Sequence, residues 1–257
     1  MRIASSNPLN GLWKLTWVET KVFVREPMGF IGTLIMPAIL FVLLGRAFGA
    51  ARPVGVSMMD PKDVPFNVAI LAAIVIAINA VQSLVAIISI YREGGILKRL
   101  RATPLSPVTI LGAHVVVKLA FTVASLALLV LAGRRIFPDV MSVNLFSLSA
   151  AVLLSTLSIL SLGFVIASLV PTARFAQPIS ALVLYPMLAL SGMFFPVERL
   201  PSALKALAFV LPTTHAVALL EGVWDGSGWG THWVSAVMLI VLFVAYSALS
   251  TKVFRCE

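Results

Sequence analysis

The sequence predicts an all-α integral membrane protein with six transmembrane helices, and two observations carry that reading. Of its 257 residues, 60% are hydrophobic and only 11% are charged, whereas a soluble domain carries about 25% charged residues. The mean hydropathy of +1.04 says the same. There is too little polar surface to coat a particle facing water, so lipid must coat it. The second observation is that the apolar residues fall in long continuous runs. A spanning helix needs roughly 20 apolar residues to cross about 30 Å of hydrocarbon. Backbone groups in lipid must be satisfied internally, which makes each run helical. A porin-type barrel would show ~10-residue stretches of alternating polarity instead.

Taken in order, residues 1–27 read as a cytoplasmic amphipathic interfacial segment and residues 28–257 as the six-helix transmembrane domain. On a helical wheel Lys14, Lys21 and Arg25 fall within about 40° of one another, while Leu12, Trp13, Leu15, Trp17, Val18, Val22 and Phe23 fill much of the rest. Such a helix lies in the membrane interface with its basic stripe toward phosphates; anchoring and partner docking are both compatible with it. Its charges, with no apolar core region after Arg2, do not suit a cleavable signal peptide. The six runs are expected within residues 28–45, 66–90, 107–133, 140–173, 175–196 and 233–251. Only the third contains a lysine, Lys118, and none contains Asp or Glu. Residues 206–220 are apolar but short for a span and broken by Pro212, which favours a re-entrant or interfacial hairpin between spans five and six.

Charge placement sets the orientation. With the N-terminus inside, the inner segments hold Arg2, Lys14, Lys21, Arg25, Arg92, Lys98, Arg99, Arg101, Arg174, Lys252 and Arg255. The outer segments hold Arg46, Arg52, Lys62, Arg134, Arg135, Arg199 and Lys205. The bias and the densest cluster put both termini in the cytoplasm. The net charge of +9 therefore belongs to loops facing an anionic leaflet rather than to a nucleic-acid surface. The five tryptophans, Trp13, Trp17, Trp224, Trp229 and Trp233, fall near the expected interfaces as an aromatic belt. The lone Cys256 provides neither a disulfide framework nor a metal cluster.

The most informative stretch runs from Tyr91 to Pro107. Drawn as a helix, Ile96, Leu97 and Leu100 form one apolar face within about 100°, with Lys98 and Arg101 on one flank and Arg99 on the other. Glu93 stands at the N-terminal end, where a carboxylate suits the helix dipole, and Pro104 and Pro107 end the helix. A positive-inside loop would account for the charges alone. The short bounded amphipathic helix adds a lever that a cytosolic partner can push.

The run Glu93-Gly94-Gly95, then Lys98-Arg99-Leu100 and Thr103-Pro104-Leu105-Ser106, resembles the cytoplasmic coupling-helix signature of ABC-2-type permeases, including the daunorubicin-resistance and nodulation-factor export types. Ile96 stands where that family usually has threonine or a similar residue. A second segment, Ser191-Gly192-Met193-Phe194-Phe195-Pro196, resembles the family's element at the end of span five, which leads into an outward-facing hairpin. The resemblance covers essentially the whole chain. It implies a dimer, with a second permease copy in a homodimer rather than a heterodimer. Each half would dock a cytosolic ABC ATPase subunit through Glu93–Arg101, with ATP and magnesium on that partner. No Gly-x-x-x-x-Gly-Lys-[Ser/Thr] occurs here, so this chain carries no nucleotide cofactor of its own and the ATPase is expected on a separate polypeptide.

Single polar residues admit two readings each. Lys118 either snorkels to the inner interface or faces a pathway, and His114, one turn earlier, could share its site. Asn79, Gln82 and Ser83 form a polar stripe that either bonds between helices or lines a path. Tyr185 and Pro186 mark a hinge or cavity wall in span five. The substrate-path candidates are thus Asn79, Gln82, Lys118 and Tyr185, and the hairpin residues are Gly192, Phe194, Phe195 and Pro196. His215, Glu221 and Asp225 read as loop polarity; no catalytic constellation and no metal site is expected. The reading is a permease subunit of an ATP-driven exporter in a bacterial cytoplasmic membrane. Its substrate would be a drug, lipid or lipid-linked saccharide, held in a broad apolar cavity between two copies. The alternatives are a non-transporting scaffold or sensor, or a secondary transporter, which would need intramembrane carboxylates.

Overall fold

The computed structural model describes residues 8–48, 68–93, 107–136, 144–170, 172–192, 197–224 and 226–255. The described residues contain helices and turns but no strand. In chain order the helices are α1 (Pro8–Arg25), α2 (Pro27–Phe30), a π-helical turn (Ile31–Ile35), α3 (Met36–Phe48), α4 (Val68–Glu93), α5 (Pro107–Ile136), α6 (Leu145–Leu169) and α7 (Ala173–Ala189). A 3-10 turn (Val197–Arg199) precedes α8 (Ser202–Val210), α9 (Pro212–Trp224), α10 (Gly228–Thr231) and α11 (Trp233–Arg255).

Among the described residues, three stretches are long and apolar enough to cross a membrane on their own: Gly112–Ala132, Leu145–Leu169 and Trp233–Ser250. Two other expected runs form shorter helices, the apolar stretch Ile31–Leu43 and the 17-residue α7, while the second lies in α4, which is 26 residues long. Each shortening has a local cause where the chain is described. Before α3, Pro37 has no N–H to give and its ring would crowd the carbonyl of Thr33. The chain widens there, with the Met36 N–H bonding Ile31 O across a π turn. In α7, Pro178 and Pro186 interrupt the ladder, and Gly192 follows its end at φ +91, a conformation glycine adopts at no steric cost.

α6 is the central helix. It packs on α4, α9 and α11, and α4 packs in turn on α7 and α9. Along their apolar stretches 67% of α6 is buried, against 22% for α11, so α11 forms the rim. The buried residues of α6 include Ser155, Thr156, Ser158, Ser161 and Gly163, small residues that let helices approach closely where lipid supplies no hydrophobic drive. Asn144 starts this helix by accepting the N–H groups of Phe146 (3.0 Å) and Ser147 (3.3 Å). A second group is built on α5, along which α1, the π turn and α3 all lie. Phe23, Phe30 and Phe121 pack together there, the closest ring pair being Phe23 and Phe121 at 4.4 Å between centroids.

Candidate functional site

Two polar constellations stand out in an apolar molecule. One joins α1, α4 and α5. The half-buried residues of α1 include Leu12, Leu15, Thr16, Glu19, Thr20 and Phe23, which recur at helical spacing and so share one face. Thr16 and Thr20 satisfy themselves by donating to the carbonyls of Leu12 (2.8 Å) and Thr16 (2.7 Å). Glu19 cannot do so, because a carboxylate only accepts. It meets His114 of α5, with Oε2 3.3 Å from Nδ1, and the Tyr91 hydroxyl of α4, which donates to Oε1 at 3.4 Å. The same hydroxyl lies 2.8 Å from His114 Nε2. Burial pushes the Glu19 carboxyl above its usual range, and the bond from Tyr91 partly offsets this. One turn along α5 the Lys118 ammonium sits over the Phe23 ring, 4.8 Å from its centroid.

Glu93, the last residue of α4, extends the junction to α7. Its Oε2 accepts the backbone N–H of Ala173 at 2.8 Å. Residues 94–101, the rest of the expected coupling segment, lie outside the described residues.

The second constellation holds the bend between α8 and α9, which turn by 79° about Leu211. Pro212 cannot donate, and the carbonyls just before it lose their helical partners. Side chains replace them. His215 Nε2 donates to Phe209 O at 2.9 Å, and the Tyr246 hydroxyl donates to Val210 O at 2.9 Å. Thr213 Oγ1 donates to Met187 O near the end of α7 at 3.1 Å, and Trp229 Nε1 donates to Ser147 Oγ at 2.7 Å. Irregular backbone is tolerated at membrane depth only where such partners exist.

The other residues singled out from the sequence fall in different settings. Gln82 is half-buried in α4, Lys118 is only 8% exposed, and Tyr185 is 62% exposed on α7. Asn79 belongs to α4, but its side chain lies outside the described residues, as do Phe194, Phe195 and Pro196. Among the described residues no cluster of three His, Cys, Asp or Glu is placed to hold a metal. His215, taken from the sequence as loop polarity, is instead buried at 4% exposure inside α9. His114 has a carboxylate beside it after all: Glu19, 95 positions away in the chain. Sequence spacing could not reveal that pairing. The signal that could have was a glutamate as the one charged residue between Leu12, Leu15 and Phe23 on the same helix face.

Among the described residues, three long apolar helices, of which α6 is the buried one lined by small residues, define a multi-pass, helical membrane protein. Residues 10–223 match the ABC-2 type transporter family, and the chain belongs to it. It is similar to Nodulation protein J of Rhizobium leguminosarum bv. viciae, 32% identical over 99 residues, which are 38% of each chain. It is also similar to Nodulation protein J of Neorhizobium galegae, 38% identical over 26% of each chain. The Inner membrane transport permease YhhJ of Escherichia coli (strain K12) is 28% identical over 169 residues, 64% of this chain and 44% of YhhJ. The chain thus spans well under half the length of these relatives, 26% to 44%.

Proposed function

We propose that the chain is the membrane subunit of an ATP-driven exporter of amphipathic or hydrophobic substrates, namely drugs, lipids or lipid-linked saccharides. The family match over residues 10–223 carries this reading. In it, residues 28–257 cross a bacterial cytoplasmic membrane six times, α8 and α9 form a re-entrant hairpin, and residues 1–27 lie on the inner surface against lipid, both termini being cytoplasmic. Two copies enclose the pathway as a homodimer. A separate cytosolic ABC ATPase, holding ATP and magnesium, grips residues 93–101, with Ile96, Leu97 and Leu100 entering its groove. Closure of the nucleotide-bound ATPases then drives the two copies between inward- and outward-facing states.

The absence of a phosphate-cradling loop from the sequence supports a separate motor. The lack of Asp and Glu in the six runs speaks against ion-coupled transport. The test is co-purification with a candidate cassette ATPase, followed by hydrolysis and transport assays against a substrate panel. Leu97→Asp with Leu100→Asp should uncouple hydrolysis from transport without unfolding the helices. Full coupling in that variant, or labelling that puts residues 92–104 on the outer side, would overturn the assignment.

A further inference from the structure

The last turn of α4 carries two side chains that grip different neighbours. Tyr91 reaches His114 on α5 (2.8 Å) and Glu19 on α1 (3.4 Å). Because His114 Nδ1 also lies 3.3 Å from Glu19, the three side chains close a triangle in which each touches the other two. Glu93, two residues on, bonds the first N–H of α7 at 2.8 Å. Residues two apart on a helix point about 200° from each other, so these grips lie on opposite flanks of α4. Glu93 also opens the coupling segment, which continues at Gly94.

The Glu93 bond is not ordinary local capping. Thr172 occupies the cap position of α7, and threonine is a good capping residue, yet its side chain makes no cap bond. The cap comes from another helix, roughly 80 residues earlier in the chain. At its far end α7 is tied again, where Thr213 of α9 donates to Met187 O at 3.1 Å. Bonded contacts therefore tie the end of α4 and the α8–α9 bend to opposite ends of α7.

We propose that Tyr91 and Glu93 are positioning residues that divide the motion of the coupling segment between two loads. Tyr91 moves α1 and α5 through the Glu19–His114 triangle, and Glu93 moves α7 and, through it, the outer bend. This rests on the reading that a cytosolic ATPase grips the segment. It adds which elements follow the grip and through which atoms.

The experiment uses the permease in lipid nanodiscs, alone and assembled with its ATPase, and reads amide exchange and substrate transported per ATP hydrolysed. Alone, Tyr91→Phe should speed exchange in α1 but not at residues 173–175, and Glu93→Ala should do the reverse, each by about tenfold for a lost charge-assisted bond. In the complex both should lower transport per ATP. The deciding variant is Glu93→Ala with Thr172→Asp, which supplies α7 with a local cap. It should restore slow exchange at 173–175 while transport per ATP stays low. If the local cap also restores transport per ATP, Glu93 only stabilises α7 and the transmission role is wrong. Unchanged exchange in either single variant removes the grips themselves. A wild-type complex that hydrolyses ATP without any response to substrate sinks the exporter reading and transmission together, while the exchange measured on the permease alone still reports whether the two grips exist.

Discussion

The bend between α8 and α9 offers a sharp test of how irregular backbone between two apolar helices is held. Two adjacent carbonyls, Phe209 and Val210, are bonded by side chains, His215 Nε2 and the Tyr246 hydroxyl, each at 2.9 Å. A carbonyl only accepts, so His215 must carry its proton on Nε2. Tyr246→Phe deletes one hydroxyl and leaves the ring. It should cost about 0.6–1.7 kcal/mol, the range of interhelical bonds in membranes. His215→Phe keeps an aromatic edge against Phe209, whose ring stands 5.0 Å away at 85°. It leaves the Phe209 carbonyl without its side-chain donor, and should cost about 1–3 kcal/mol. Equilibrium unfolding in mixed micelles gives both values, and the double variant reads how far the two bonds support one another. Amide exchange over residues 208–216 should rise in parallel. If Tyr246→Phe changes neither quantity while Tyr246→Ala lowers stability, ring packing rather than the hydroxyl holds the bend, and the backbone-satisfaction argument fails.

Three further outcomes follow from the same geometry. A Cβ at Gly222 would overlap the His232 ring, so Gly222→Ala should destabilise the α9–α11 corner by about 1–3 kcal/mol; His232→Ala should relieve this, as unfolding midpoints will show. Lys118→Met forfeits a cation–π contact worth about 0.5–2 kcal/mol but removes a buried charge, so overall stability should hold or rise while exchange in α1 quickens; a large loss of stability would mean the ammonium has a stronger partner than Phe23. Glu19 has its carboxyl raised by burial, so docked α1 binds a proton more tightly than free α1 does. The contribution Glu19 makes to docking is largest in acid and is lost as pH rises through that raised value, and Glu19→Gln should remove that component from the profile of α1 exchange corrected for its intrinsic pH dependence.

What the sequence could and could not convey follows from lipid being the solvent. Helical runs are legible because every backbone group in hydrocarbon needs an internal partner, which leaves continuous apolar stretches such as Leu145–Leu169 with few alternatives. The break at Pro212 is legible for the same reason, since a missing N–H in such a place must bend or end the helix. Position within the bundle is not. In water an apolar face means an inner face, but in lipid Leu160 of α6 and Val241 of α11 are equally at home, and the first is 1% exposed while the second is 51% exposed. The discriminating residues are the polar ones. Ser155 and Ser158 lie fully buried on α6, where lipid would reject them and neighbouring helices can come close. The same logic applies to Glu19, His114 and His215. Each is a group that lipid does not tolerate unpaired, so each demands a protein partner, but the sequence alone names neither the partner nor the helix that brings it. For every polar side chain on an apolar face, the informative question is which distant group satisfies it. In this molecule that question leads to the end of α4, where the apolar bundle meets the segment proposed to take the force.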